Sequence, residues 1–468
     1  MASIALNNLT YTYPQASTPI LDRVNLTLPR QSFILLTGPS GTGKSTLLKL
    51  IAGLLPLTPD YGTITFDGQS LTASTANQRA QHVAMMFQNP NQQFAMDTVE
   101  NELIFALENL QVPRDQIPAR LLSALDFVGI RNLQSRLLNH LSGGEKQKVA
   151  LAIIVAMDSD VILLDEPFAS VDPTARAVLL DRLVELRNQH GKTIILADHD
   201  LSGYEQLVDQ VVQIKDQHLQ LIDRTTWSEL FAAFTEQPQR SWSAPQRVER
   251  PCFQLDHVTL QAGDRQLLVP TTRQLLAQHN TLITGPNGSG KSTLFEAVVR
   301  LHPYTGEIRY EGTPIDKLKR KRYARHVALL FQDAETQFLN ITVAEELAQS
   351  KRYAYGDYFT ADRIQTALVQ LNLSGRDEQV IYTLSEGQKK KLQILLMLIM
   401  QSPVLLMDEP LKGLDLHSIN ALVALLQTTQ AATKQTLIII SHQLTGLMPL
   451  IDYQLHFENH HLDWVVRS

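Results

Sequence analysis

Short, continuously apolar runs punctuate the chain twice over. Residues 32–38 (SFILLTG), 161–165 (VILLD) and 193–198 (TIILAD), and again 280–285 (NTLITG), 404–408 (VLLMD) and 436–441 (TLIIIS), are β-branched or leucine-rich and too short for helices. They predict strands buried on both faces. Longer stretches between them have helical character: 46–55 (TLLKLIAGLL), 149–157 (VALAIIVAM), 293–301 (TLFEAVVRL) and 392–400 (LQILLMLIM). Buried strands alternating with helices predict a mainly parallel sheet covered on both faces, an α/β class. No apolar run reaches the roughly 18 to 20 residues of a membrane span, so the apolar helices are expected to be buried in protein.

The pattern repeats because the chain is a duplication. GPSGTGKST at 38–46 returns as GPNGSGKST at 285–293, MMFQNPNQQF at 85–94 as LLFQDAETQF at 329–338, and VILLDEP at 161–167 as VLLMDEP at 404–410. The spacing hardly drifts: Lys291 lies 247 positions after Lys44, Gln332 244 after Gln88, and Glu409 and His442 243 after Glu166 and His199. Two homologous domains are expected, 1–234 and 252–468. A linker is expected at 235–251 (TEQPQRSWSAPQRVERP), which has three prolines and no apolar periodicity.

Both glycine-rich segments fit G-x-x-x-x-G-K-S, and each follows a predicted strand and precedes a helical run. Glycines let the backbone curl so that its N–H groups face phosphate oxygens, and the helix N-terminus adds a favourable dipole. Lys44 and Lys291 are then placed for β- and γ-phosphates and Ser45 and Ser292 for Mg²⁺. The paired carboxylates suit the rest of a phosphate-ester hydrolysis. Asp165 and Asp408, at strand ends, suit an outer-sphere or water-mediated hold on Mg²⁺, and Glu166 and Glu409 suit polarising a water. Gln88 and Gln332, after the strand-like VAMMF and VALLF, could ligate Mg²⁺ or orient that water. His199 and His442 end strands and could meet a γ-phosphate. For any one of these taken alone a loop hydrogen bond or a core histidine is the commoner meaning; their repetition at matching places favours function.

Ser142-x-x-Glu145 and Ser385-x-x-Gln388 have the capping-box pattern ahead of apolar runs, so each predicts a helix start whose free N–H groups suit an anion. The two differ in one position: LSGGEKQKV (141–149) has Gly143 where LSEGQKKKL (384–392) has Glu386.

Taken in order, these motifs resemble the ABC-type ATPase domain, twice, over nearly the whole chain. The resemblance implies two P-loop NTPase domains, each with a helical subdomain, that bind ATP and Mg²⁺ and hydrolyse ATP. In that family two domains pair head to tail, and each ATP lies between the phosphate loop of one and the signature of the other. One site would then comprise Gly38, Pro39, Ser40, Gly41, Thr42, Gly43, Lys44, Ser45, Thr46, Gln88, Asp165, Glu166 and His199, closed by Ser385, Glu386 and Gly387. Its counterpart would comprise Gly285, Pro286, Asn287, Gly288, Ser289, Gly290, Lys291, Ser292, Thr293, Gln332, Asp408, Glu409 and His442, closed by Ser142, Gly143 and Gly144. Asp172 and Asp415 match the loop that crosses between halves. Tyr13 matches the aromatic that stacks on adenine; Ala262 stands opposite it in the second half, which implies weaker nucleotide binding there. Glu386 aimed at a γ-phosphate from about 6 Å costs roughly 3 kcal/mol at an effective dielectric of 20, so it is expected to point away.

Residues 87–109 (FQNPNQQFAMDTVENELIFALEN) resemble the ATPases of energy-coupling-factor importers. That implies a fused pair at the cytoplasmic face of the membrane, working with a transmembrane coupling subunit and a small membrane substrate-binding subunit to take up a vitamin or metal ion. A fused sugar-importer ATPase and a soluble tandem ATPase acting on ribosomes or DNA are the alternatives; an intact second phosphate loop speaks against the first, and a linker with little room for a long basic helix against the second.

Composition adds limits. A net charge of −6 argues against a nucleic-acid-binding surface over the whole molecule, and one cysteine, Cys252, allows no internal disulfide, zinc or iron–sulfur site. The N-terminal MASIALNNLTYTYP has no signal-peptide pattern, so cytosolic residence is expected. The densest basic run, KLKRKRYAR at 317–325, reads as a solvated helical face, with contact to anionic lipid or another charged partner as the other reading.

Overall fold

The computed structural model describes residues 3–14, 16–71, 74–169, 171–235, 242–245 and 250–466. The chain divides into two units, Met1–Glu236 and Gln237–Ser468. Much of the expected linker at 235–251 lies outside the described residues. Within it Trp242 is buried and belongs to the apolar core of the second unit.

In the first unit the predicted strands form a six-stranded sheet in the order His218–Leu221, Gln210–Lys215, Phe33–Thr37, Thr193–Ala197, Val161–Asp165, Val83–Met86. All pairings are parallel except that of His218–Leu221. Every residue of Phe33–Thr37, Val161–Asp165 and Thr193–Ala197 is buried, which explains why their apolar character does not alternate. A four-stranded antiparallel sheet, Leu21–Pro29, Ser3–Tyr11, Thr63–Phe66 and Gln69–Ser70, packs its apolar side chains with the helix Lys44–Ile51 and the larger sheet into one core. Helices Val99–Asn109, Ile117–Val128 and Gly143–Met157 make up the middle section.

The second unit repeats the scheme. Its parallel strands run in the order Val327–Leu330, Val404–Asp408, Thr436–Ile440, Asn280–Thr284, Tyr453–Glu458, with His461–Trp464 antiparallel at the edge. Its helices Val343–Arg352, Ala361–Gln370 and Glu386–Met400 correspond to those of the first. Parallel order puts the ends of Phe33–Thr37, Val161–Asp165 and Thr193–Ala197 on one edge, so the phosphate loop, the acidic pair and the histidine converge. In the basic run only Tyr323 and Leu318 turn inward; its six cationic side chains are exposed.

Candidate active site

Both phosphate loops depend on glycine where the backbone is left-handed or crowded. Gly38 has φ 142°, and a Cβ there would lie 2.5 Å from the Ile214 carbonyl oxygen; one at Gly285, φ 144°, would collide with that of Phe457. Gly43 and Gly290 cap the helices Lys44–Ile51 and Lys291–Val298 without any side-chain bond, so the first N–H groups stay available to an anion. Lys44 Nζ donates to the carbonyls of Gly38 (2.7 Å) and Pro39 (3.0 Å), and Lys291 Nζ to those of Gly285 and Pro286 (both 2.7 Å). These bonds hold each buried ammonium over its loop.

Ser45 hydrogen-bonds Asp165, and Ser292 hydrogen-bonds Asp408. Burial, reinforced by Glu166, raises the Asp165 carboxyl to about 6 against the pull of Ser45 and Lys44. Asp408 is raised in the same direction by burial, opposed by Ser292, Lys390 and Lys291. Asp165 Oδ1 is buried with no partner among the described residues. A desolvated carboxylate beside a hydroxyl gains from a divalent cation, and these hard oxygen donors fit Mg²⁺. Among the described residues no three His, Cys, Asp or Glu cluster to hold a metal by themselves, so Ser45 with Asp165, or Ser292 with Asp408, would share the ion with phosphate and water.

Glu166 and Glu409 follow their strands in left-handed conformation, φ 47° and 48°. Each backbone N–H still bonds the neighbouring strand, at Ala197 (2.8 Å) and Ile440 (2.9 Å). That bond fixes the turn and sends both carboxylates toward the histidines, an arrangement in which strain accompanies function. His199 Nε2 is 3.1 Å from Glu166 Oε1 and 3.5 Å from Ser40 Oγ. His442 differs: its backbone N–H donates to Glu409 Oε2 (3.3 Å), and its Nε2 is 3.7 Å from Oε1. Burial and then Asp408 push the Glu409 carboxyl up to about 7, against the His442 N–H, Lys291 and Lys412.

The other candidate residues sit at or just beyond the ends of elements. Gln88 and Gln332 follow the strands Val83–Met86 and Val327–Leu330, and the Gln332 backbone carbonyl accepts from Lys390 Nζ (3.1 Å). Asp172 and Asp415 cap the helices Pro173–His190 and Leu416–Thr433. Tyr13 is 39% exposed, with its hydroxyl 3.0 Å from Thr46 Oγ1 of the phosphate-loop helix and its ring centroid 5.2 Å from that of Tyr11. Ala262 instead ends a tight hairpin opposite Arg265, whose Nη1 lies 4.0 Å from where a Gly288 Cβ would be.

Ser142 and Ser385 form the predicted capping boxes, accepting from the N–H of Glu145 (3.4 Å) and Gln388 (3.3 Å), whose side chains accept from the serine N–H groups. Gly144 and Gly387 are buried, while Gly143 and Glu386 are exposed. Although exposed, the Glu386 carboxyl is raised by desolvation from surrounding protein; Glu335 and Asp333 add to the rise, and Lys389 and Lys412 oppose it.

Two groups of residues were not singled out by motif. Asp198, buried, accepts from Tyr204 Oη and the His199 N–H (both 2.7 Å), with an Arg176 nitrogen 3.7 Å away, and so braces His199. Ser441, Leu447 and Ile419 replace that network in the second unit. Lys390 is the other. It stands where the first unit has Gln147, and burial lowers its ammonium to about 8 against the pull of Asp408. The aligned signature sequences contain that signal, a lysine for a glutamine.

A model of the ABC transporter family matches residues 21–169 and 270–412. The chain belongs to the ABC transporter family. Members bind ATP with Mg²⁺ and hydrolyse it. A Bacillus subtilis protein provisionally named an HMP/thiamine import ATP-binding protein is 27% identical over 97% of this chain and 91% of its own length. A Bacillus anthracis protein, provisionally named an ABC transporter ATP-binding protein, is 30% identical over 89% of this chain and 83% of its own. Among solved structures, one named RNase-L inhibitor is similar in fold, with TM-score 0.65 and 19% identity over 98% of this chain and 90% of that one. An archaeal ribosome recycling factor, solved with a ribosomal stalk protein, has the same TM-score and identity over 96% and 87%. At that identity the likeness concerns fold alone. No described helix is long and apolar enough to cross a membrane.

Proposed function

We propose that the chain is the ATP-hydrolysing subunit of an ABC importer of energy-coupling-factor type, peripheral on the cytoplasmic membrane face, driving uptake of a vitamin or metal ion through separate membrane subunits. The observation that carries this reading is a complete set of phosphate-loop, acidic and histidine residues in both units. Full-length similarity to a protein named for HMP/thiamine import supports it. In this reading the units pair head to tail. Ser385 and Gly387 complete the Lys44 site, and Ser142 and Gly144 complete the Lys291 site. Glu166 and Glu409 activate water, while Gln88 and Gln332 reach Mg²⁺ once nucleotide is bound.

Purification from a membrane extract tests the partner. Recovery of a transmembrane coupling protein together with a small membrane protein supports the importer. Ribosomes or DNA that survive a salt wash, with no membrane protein, overturn it. Glu166→Gln and Glu409→Gln test the chemistry: each is expected to lower ATP turnover and transport, by about 10²-fold or more at its own site.

A further inference from the structure

Lys390 enters the catalytic region of the second unit from the signature helix Glu386–Met400 and is only 4% exposed. A buried ammonium is costly unless its donors are matched. Its Nζ donates to the backbone carbonyls of Phe331 (3.3 Å) and Gln332 (3.1 Å), and Asp408, Glu409, Asp333 and Lys412 supply the surrounding charge. Gln393, one turn along, donates to the same Phe331 carbonyl at 3.0 Å and bonds Gln337 at 2.6 Å. The glutamine segment is thus pinned to the helix at adjacent carbonyls. The first unit has Gln147 and Ala150 at these positions, a neutral amide and a methyl group.

We propose that Lys390 is a positioning residue for Gln332, making the segment at 331–332 move as one piece with the signature helix and setting a cation beside Asp408 and Glu409. The inference rests on the ATPase reading above and deepens it. A glutamine that must reach the metal is then placed by the helix that carries Ser385 and Gly387. The second unit couples those two motions through a charge–carbonyl contact that the first unit cannot make with a charge.

The test uses the full-length chain carrying Glu166→Gln, so that measured turnover belongs to the second unit, together with amide hydrogen exchange on the segment 331–333. Lys390→Met is expected to lower kcat about tenfold with the KM for ATP within about twofold, and to speed exchange in that segment. Lys390→Arg, which can still donate to both carbonyls, is expected to recover most of both losses, with all variants melting near the parent. Unchanged kcat and exchange in Lys390→Met overturn the proposal, as does a KM that rises in step with any loss, or an arginine variant no better than the methionine one. If the Glu166→Gln parent has no turnover, the ATPase reading of the second unit fails; exchange in the segment then decides the Lys390 proposal.

Discussion

Glu409 would carry the chemistry of the second unit in a carboxyl that burial has pushed to about 7. A general base must be ionised to take a proton. With Glu166→Gln silencing the first unit, turnover should therefore fall as pH drops through the range in which Glu409 takes up its proton and level off above it; a rate that rises as pH falls contradicts this. The same shift affects stability without nucleotide. The folded protein holds the proton to a higher pH than the unfolded chain does, so the contribution is full below the ordinary glutamate range and is lost as pH rises through about 7. Glu409→Gln removes that loss. Its advantage over the parent should be near zero at about pH 4.5 and grow to at most about 3 kcal/mol by about pH 8, read from denaturant melts without Mg²⁺. An advantage that shrinks as pH rises would refute the assignment.

Each signature helix begins at a serine that accepts from the third helical N–H, so the start of the element depends on one hydroxyl. Ser142→Ala and Ser385→Ala should each cost about 1 kcal/mol of stability in denaturant melts, and no loss in either would show that the cap bond is not formed in solution. Glu386 occupies the first turn of its helix, where the dipole favours a carboxylate by about 0.3 to 1 kcal/mol. Because its side chain is exposed and influenced by Lys389 and Lys412, Glu386→Gly should change ATP turnover by no more than about fivefold. A many-fold increase would mean that the carboxylate faces phosphate after all. Lys389 pairs with Glu335 in the neighbouring loop, whereas Lys146, at the same place in the first unit, donates to Asn91. The two signature helices are therefore tied to their glutamine segments with different strengths.

Over the whole chain, the duplication was readable because its motifs demand particular chemistry: only glycine suits Gly38 and Gly285 beside a neighbouring carbonyl, and only fully buried strands remain apolar on both faces. The sequence of Lys390 was visible but its place was not. A run of three lysines ordinarily signals a solvated face, because charge is cheapest in water, and only the packing of residues 331–332 against the helix provides the acceptors that permit burial. Trp242 was hidden for the converse reason, one ring in a proline- and glutamine-rich segment that gives no period to read. The differences that remain all separate one unit from the other: an exposed Tyr13 against Ala262 and Arg265, a braced His199 against His442, Gln147 against Lys390. Base stacking on an aromatic is worth about 1 to 3 kcal/mol, and the second unit lacks it at the matching position. With each site blocked in turn by Lys44→Ala or Lys291→Ala, the first unit should bind ATP at least about fivefold more tightly than the second, and Tyr13→Ala should remove most of that difference. Equal affinities would mean that Arg265, beside Gly288, replaces the ring, and Arg265→Ala would then weaken the second unit alone.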